Sequence, residues 1–237
     1  MRLLSSQPAS TEPGHLSTEP RPAGADQRYL LPLTLLLATA VSSQAADVTQ
    51  VLKGLEDRYN NSQTLQLNFT ETYTQRGRAR VERGELFLRK PGKMRWQYTA
   101  PAGKLFVSDG KFIYAYTPQD GRAEKMKLKE ADDMRAPLAF LLGRLHFADD
   151  FREYRSHAEG EGLFITAIPK SDKLPYSEVS FLAMPDSTIR RLEVKAQDNS
   201  TLQFTFDSER RNPAIPETLF RFMPPPGVEY VDSSNQP

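Results

Sequence analysis

Residues Gly84–Pro101, GELFLRKPGKMRWQYTAP, decide the fold of this chain. Side chains on a strand alternate between its two faces. On the first arm Leu86 and Leu88 therefore point one way, and Glu85, Phe87 and Arg89 the other. Pro91-Gly92 makes the turn, and on the second arm Met94, Trp96 and Tyr98 alternate with Lys93, Arg95 and Gln97. The stretch reads as a hairpin with an apolar side and a cationic side. The only tryptophan of the chain lies on the apolar side.

The pattern extends in both directions. Ahead of the hairpin, Val48, Val51, Leu52, Leu55 and Tyr59 recur at helical spacing between Asp47 and Asn61, which predicts an amphipathic helix. From Thr64 to Tyr73, Leu65, Leu67, Phe69 and Tyr73 alternate with polar residues, which predicts a half-buried strand. Behind the hairpin, Asp109-Gly110 suits a tight turn between Lys104–Ser108 and Phe112–Tyr116, the latter apolar on both faces. Further short strands are expected at Arg122–Lys129, Phe151–Ser156, Leu163–Pro169, Val179–Ala183, Ile189–Ala196 and Thr201–Phe206. The prolines of FRFMPPPGVEYVD bar the tail from a central strand. Eleven or twelve consecutive short strands point to a mainly antiparallel sandwich or barrel.

One stretch breaks this rhythm: Ala131–Phe147, ADDMRAPLAFLLGRLHF. Pro137 suits the first turn of a helix, and Leu138, Phe140, Leu141 and Leu142 crowd in behind it. So apolar a helix within a run of strands needs a cover, and it is expected to lie across the sheet as a lid.

Near the N-terminus, Tyr29–Val41 reads YLLPLTLLLATAV, preceded by Arg28 and followed by Ser43-Gln44-Ala45-Ala46. A membrane-spanning helix needs about 20 apolar residues; this run is shorter and has the shape of a secretory signal cleaved near Ala45 or Ala46. Residues 1–46 are accordingly expected to be signal and leader, and 47–237 a single domain.

Function is narrowed by composition. Lys plus Arg number 31 against 30 Asp plus Glu, so nothing favours a nucleic acid as partner. Cysteine is absent, which excludes disulfides, thiol nucleophiles and thiolate metal sites. The hydrolase, metalloprotease and phosphate-loop motifs are missing, and Glu82 with Glu85 reads as an ordinary surface pair. His146 near Asp149 and Asp150 has no metal-ligand spacing. Catalysis is not expected, nor is a metal or cofactor. The notable feature is the aromatic and aliphatic load on consecutive strands: Leu67, Phe69, Leu86, Leu88, Met94, Trp96, Tyr98, Phe112 and Tyr114. These side chains either fill an ordinary core or, if a sheet of about eleven strands curls, line an apolar cavity beneath the Leu138–Leu145 lid.

In the order of its landmarks the chain resembles the LolA family, periplasmic carriers of outer-membrane lipoproteins. The landmarks are the N-terminal helix followed by Leu67-Asn68-Phe69-Thr70; Gly84-Glu85-Leu86 leading to Lys90-Pro91 and Trp96; Val107-Ser108-Asp109-Gly110-Lys111; Pro137 before the apolar helix; and Pro225-Pro226-Gly227-Val228. The resemblance implies an α+β fold in which an unclosed antiparallel β-barrel covers a hydrophobic cavity, with helices as its lid. It implies a monomer that takes triacylated lipoproteins from an inner-membrane LolCDE-type ABC transporter and hands them to an outer-membrane LolB-type acceptor. Carriage or sensing of another lipid on the same fold is the alternative. Relatives often place arginine before the first hairpin proline, reaching toward the covering helices. Here that residue is Lys90, which keeps the charge without the planar set of donors. It reads either as a latch or docking residue or as a solvated turn lysine.

Overall fold

The computed structural model describes residues 42–128 and 145–234. A helix, α1 (Ser42–Asn60), is followed by β1 (Thr64–Gln75), β2 (Arg78–Arg89), β3 (Lys93–Ala100), β4 (Leu105–Asp109), β5 (Phe112–Thr117) and β6 (Arg122–Lys127). A short α2 (Phe147–Asp150) leads into β7 (Phe151–Glu159), β8 (Gly162–Pro169), β9 (Tyr176–Ala183), β10 (Ile189–Ala196) and β11 (Thr201–Arg211). A 3-10 turn at Glu217–Phe220 precedes β12 (Glu229–Asp232).

All twelve strands form one sheet, in the order β12-β6-β5-β4-β3-β2-β1-β11-β10-β9-β8-β7. The sheet is unclosed: β12 and β7 are its two edges. Neighbours are antiparallel except β12, which runs parallel to β6. That placement suits the tail, since an edge strand leaves one side of its backbone free and tolerates the prolines just ahead of it. β1 through β6 form one meander and β7 through β11 a second, joined where β1 pairs with β11.

The helix starts at Ser42, ahead of the expected Asp47, and so runs through Ala45 and Ala46. Neither glycine nor proline interrupts Ser42–Asp47, and alanine is the strongest helix former. Val48, Val51, Leu52, Leu55 and Tyr59 of α1 pack in one apolar cluster with the inner face of the sheet. Across that face run Leu65, Leu67 and Phe69 of β1, Leu86 and Leu88 of β2, and Met94, Trp96 and Tyr98 of β3. Phe106, Ile113, Ile165, Val179, Phe181, Leu192, Val194, Phe204 and Phe206 extend it to either side.

The outer face is covered only in part. Residues after β11 lie against β2 and β3 there. Arg89 Nη1 donates to Ile215 O at 3.1 Å and to Glu217 Oε2 at 3.1 Å, Arg95 Nη1 donates to Leu219 O at 3.1 Å, and Lys93 pairs with Glu217. Beneath this strap Val107 is fully buried, as is Phe220 of the strap itself.

Candidate functional site

Register brings the hairpin residues together as their alternation requires. Leu86 faces Trp96 and Leu88 faces Met94 across β2–β3, while Leu67 faces Leu86 and Phe69 faces Gly84 across β1–β2. The aromatic rings meet edge to face: Phe69 lies 4.8 Å from Trp96 and 5.1 Å from Tyr98, centroid to centroid. Phe204 of β11 closes the group at 5.3 Å from Trp96. Such pairs add about 0.5–1.5 kcal/mol each beyond the area they bury. Leu67, Phe69, Leu86, Leu88, Met94, Trp96 and Tyr98 thus form one continuous buried apolar surface.

Phe112 and Tyr114 do not belong to it. Ser108 faces Ile113 and Phe106 faces Ala115, so the inner side of β5 carries Ile113 and Ala115. Phe112 and Tyr114 fall on the outer face, contrary to expectation. Tyr114 stacks on Phe222 of the C-terminal strap at 5.4 Å, and Lys125 Nζ sits 4.1 Å from the Phe112 ring centroid. Burial and the neighbouring Asp109 carboxylate push the Tyr114 hydroxyl up to about 12. β5 is apolar on both sides because the strap gives its outer side a second, smaller core. Leu138, Phe140, Leu141 and Leu142 lie outside the described residues.

Lys90 is not a solvated turn lysine. Its Nζ donates to Tyr59 O at 2.7 Å and Asn60 O at 3.0 Å, two carbonyls at the C-terminal end of α1, where helix carbonyls lack intrahelical partners. Tyr59 O also accepts from Ser62 N at 3.2 Å. A cation there also complements the negative end of the helix dipole. Burial lowers the Lys90 pKa.

The same helix end is held from its other side. Arg58 donates through Nε and Nη2 to Glu209 Oε1, at 3.0 and 2.7 Å, and the Tyr59 hydroxyl donates to Glu209 Oε2 at 3.0 Å. That hydroxyl also accepts from the Ile189 amide at 2.9 Å. Burial first, then the Glu209 carboxylate, raises the Tyr59 pKa. Glu209 reaches α1 because β11 carries an irregularity where it pairs with β1 between Gln66 and Asn68, with Ser208 at φ 55°. Asn60, next along, exchanges two hydrogen bonds with the backbone of Leu145: Nδ2 to O at 2.9 Å, and Leu145 N to Oδ1 at 2.7 Å.

A polar row crosses the inner face beyond Phe69. Glu71 of β1 stands directly opposite Glu82 of β2, and both are buried. Each has a partner: Tyr98 Oη donates to Glu71 Oε2 at 2.8 Å, and Lys104 pairs with Glu82 while lying 4.2 Å from the Tyr98 ring centroid. Buried carboxylates need such partners, since an unpaired one is far too costly. The alternation that turns Phe69 and Tyr73 inward turns Glu71 inward too, so the signal was present in the sequence. Glu82, by contrast, does not act with Glu85, which points to the outer face.

The family described as outer membrane lipoprotein carrier protein LolA matches residues 60–223. The chain belongs to the LolA family. An outer-membrane lipoprotein carrier protein from Chromobacterium violaceum is 27% identical over 202 residues, covering 85% of this chain and 97% of that protein. One of the same description from Cronobacter sakazakii is 28% identical over 204 residues, covering 85% and 96%. Among solved structures, an uncharacterized conserved protein from Thermus thermophilus is similar with TM-score 0.49 and 10% identity, over 78% of this chain and 99% of that one. The LolA match includes every inner-face residue of β1–β3, Lys90 with Asn60, and most of the strap.

Proposed function

We propose that this LolA-family protein carries lipoproteins through the periplasm, holding their acyl chains against the inner face of β1, β2 and β3. One observation carries the reading: a continuous apolar surface, Leu67 through Tyr98, is packed against a helix whose C-terminal end is tied down by polar contacts from two sides. The polar ties can open at modest cost, and the apolar contacts that Val51, Leu52 and Leu55 of α1 make with the sheet are of the kind acyl chains can replace.

Magnitudes favour such a removable cover. Burying one methylene stabilises by about 0.8 kcal/mol. A sixteen-carbon chain then releases roughly 12 kcal/mol, and three chains exceed the ceiling near 18–21 kcal/mol for non-covalent binding. A carrier that must release its load needs a cost that offsets this gain, and displacing its own cover supplies one. Residues 1–46 serve as the export signal and leader, and 47–237 as the carrier domain. The protein works as a monomer, catalyses no reaction and uses no cofactor. It receives triacylated lipoproteins from a LolCDE-type transporter and passes them to a LolB-type acceptor.

Native mass spectrometry of the protein purified from periplasm tests this. The expected result is an additional mass equal to that of a triacylated polypeptide. A bound glycolipid would favour another cargo, and a protein that never gains mass with added lipoprotein overturns the proposal.

A further inference from the structure

Trp96 presents an inconsistency on the inner face. Its side chain has no exposed surface, and among the described residues its Nε1 has no hydrogen-bond partner. An indole N–H can only donate, and leaving a buried donor unmade costs about 1–3 kcal/mol. Buried tryptophans ordinarily find a partner for this group. Arg191 Nε, the other buried atom of this kind, differs: it belongs to a guanidinium whose other nitrogens bond Glu159, and Glu193 Oε1 lies 2.9 Å from it.

Among the described residues, the surroundings of Trp96 offer the indole little else. Leu86 and Phe106 flank it across the neighbouring strands, and Phe69 and Phe204 pack against its ring. The polar groups of the adjoining row are engaged, Tyr98 with Glu71 and Lys104 with Glu82. A phenylalanine would fill this apolar site without the cost of a stranded donor. A surface meant only for methylene chains has no use for one.

We infer that the Trp96 indole N–H is a specificity-determining donor, reserved for the carbonyl oxygen of an acyl ester when cargo displaces the cover of the inner face. This rests on the carrier reading above. Ester carbonyls accept hydrogen bonds and donate none, so they match a donor that stands among apolar side chains. The bond sets how deeply an acyl chain enters, because it fixes the ester level at β3. It also favours ester-linked lipids over chains of equal length that lack a carbonyl.

The single tryptophan makes the test direct. With the indole nitrogen labelled, the protein gives one indole N–H resonance. It is titrated with a synthetic lipopeptide bearing two ester-linked palmitoyl chains and with the matching di-ether compound. The ester ligand is expected to move the resonance downfield and to bind about three- to tenfold more tightly than the ether. Trp96→Phe should bind both ligands at the ether's affinity. Binding of the ester ligand, seen as added mass, without movement of the resonance overturns the inference. So does a Trp96→Phe protein that keeps the ester preference. If neither ligand adds mass to the wild-type protein, the carrier reading falls and the inference with it.

Discussion

Phe69 lies across the backbone of Gly84. A Cβ at residue 84 would fall 2.9 Å from Phe69 Cε1 and 2.2 Å from the carbonyl oxygen of Gln97. The glycine is what lets the Phe69 ring settle between Trp96 and Tyr98. Gly84→Ala forces backbone apart, since a carbonyl cannot rotate away as a side chain end can. It should cost roughly 2–4 kcal/mol, read as a lower urea midpoint with an unchanged slope. A midpoint within experimental error of wild type would show that the β2–β3 pair can widen freely.

Lys90→Met removes the cation that holds Tyr59 O and Asn60 O. The loss should be about 1–2 kcal/mol, given two charge-assisted bonds on a partly exposed side chain. Hydrogen exchange should quicken in the last turn of α1, and lipopeptide should load faster. Lys90→Arg, which keeps charge and adds donors, should leave exchange there at or below the wild-type rate. If Lys90→Met leaves the exchange of α1 unchanged, the helix end is held without Lys90, by the Arg58–Glu209–Tyr59 group and the Asn60–Leu145 pair.

Tyr114→Ala separates the two faces of β5. Its ring stacks on Phe222, outside the surface proposed to hold acyl chains. Lipopeptide affinity should stay within about twofold of wild type, while amides around Phe222 lose protection. A large fall in affinity would mean that the outer face takes part in binding.

The β12 edge should respond to acid. Hydrogen bonds from Ser234 and Lys125 depress the Asp232 pKa from 3.8 to about 2. A carboxylate with a depressed folded pKa stabilises fully above its unfolded value and loses that contribution as pH falls toward the folded one. Protection of the amides pairing β12 with β6 should therefore decline between about pH 4 and about pH 2. Asp232→Asn should flatten that decline; an equally steep one would assign it to other groups.

Much of this arrangement was legible in the sequence. Leu86, Leu88, Met94, Trp96 and Tyr98 share a face because a period of two leaves no other choice once the hairpin is recognised. The face of Phe112 and Tyr114 is misread from the sequence because both sides of β5 are apolar, and period alone cannot rank them. What covers their side is the strap around Phe222, far along the chain, and no local pattern announces it. Lys90 leaves two readings open because its role depends on where α1 ends, close by in space and a whole strand pair away in sequence. Glu71 is readable from parity, yet a charged residue in phase with Phe69 is easily taken for a lapse in the alternation.

The strand order has a consequence for how the molecule assembles. Each meander, β1–β6 and β7–β11, is zipped from hairpins between neighbours in the chain, so its contacts are local. The single seam between them is not: Leu65 must find Arg211, and Thr74 must find Thr201. Pairings of such high contact order set the pace of folding, because their loop entropy is lost before their contacts form. A chain still emerging from synthesis therefore carries a first half whose β1 edge lacks its partner strand until the segment ending at Arg211 arrives.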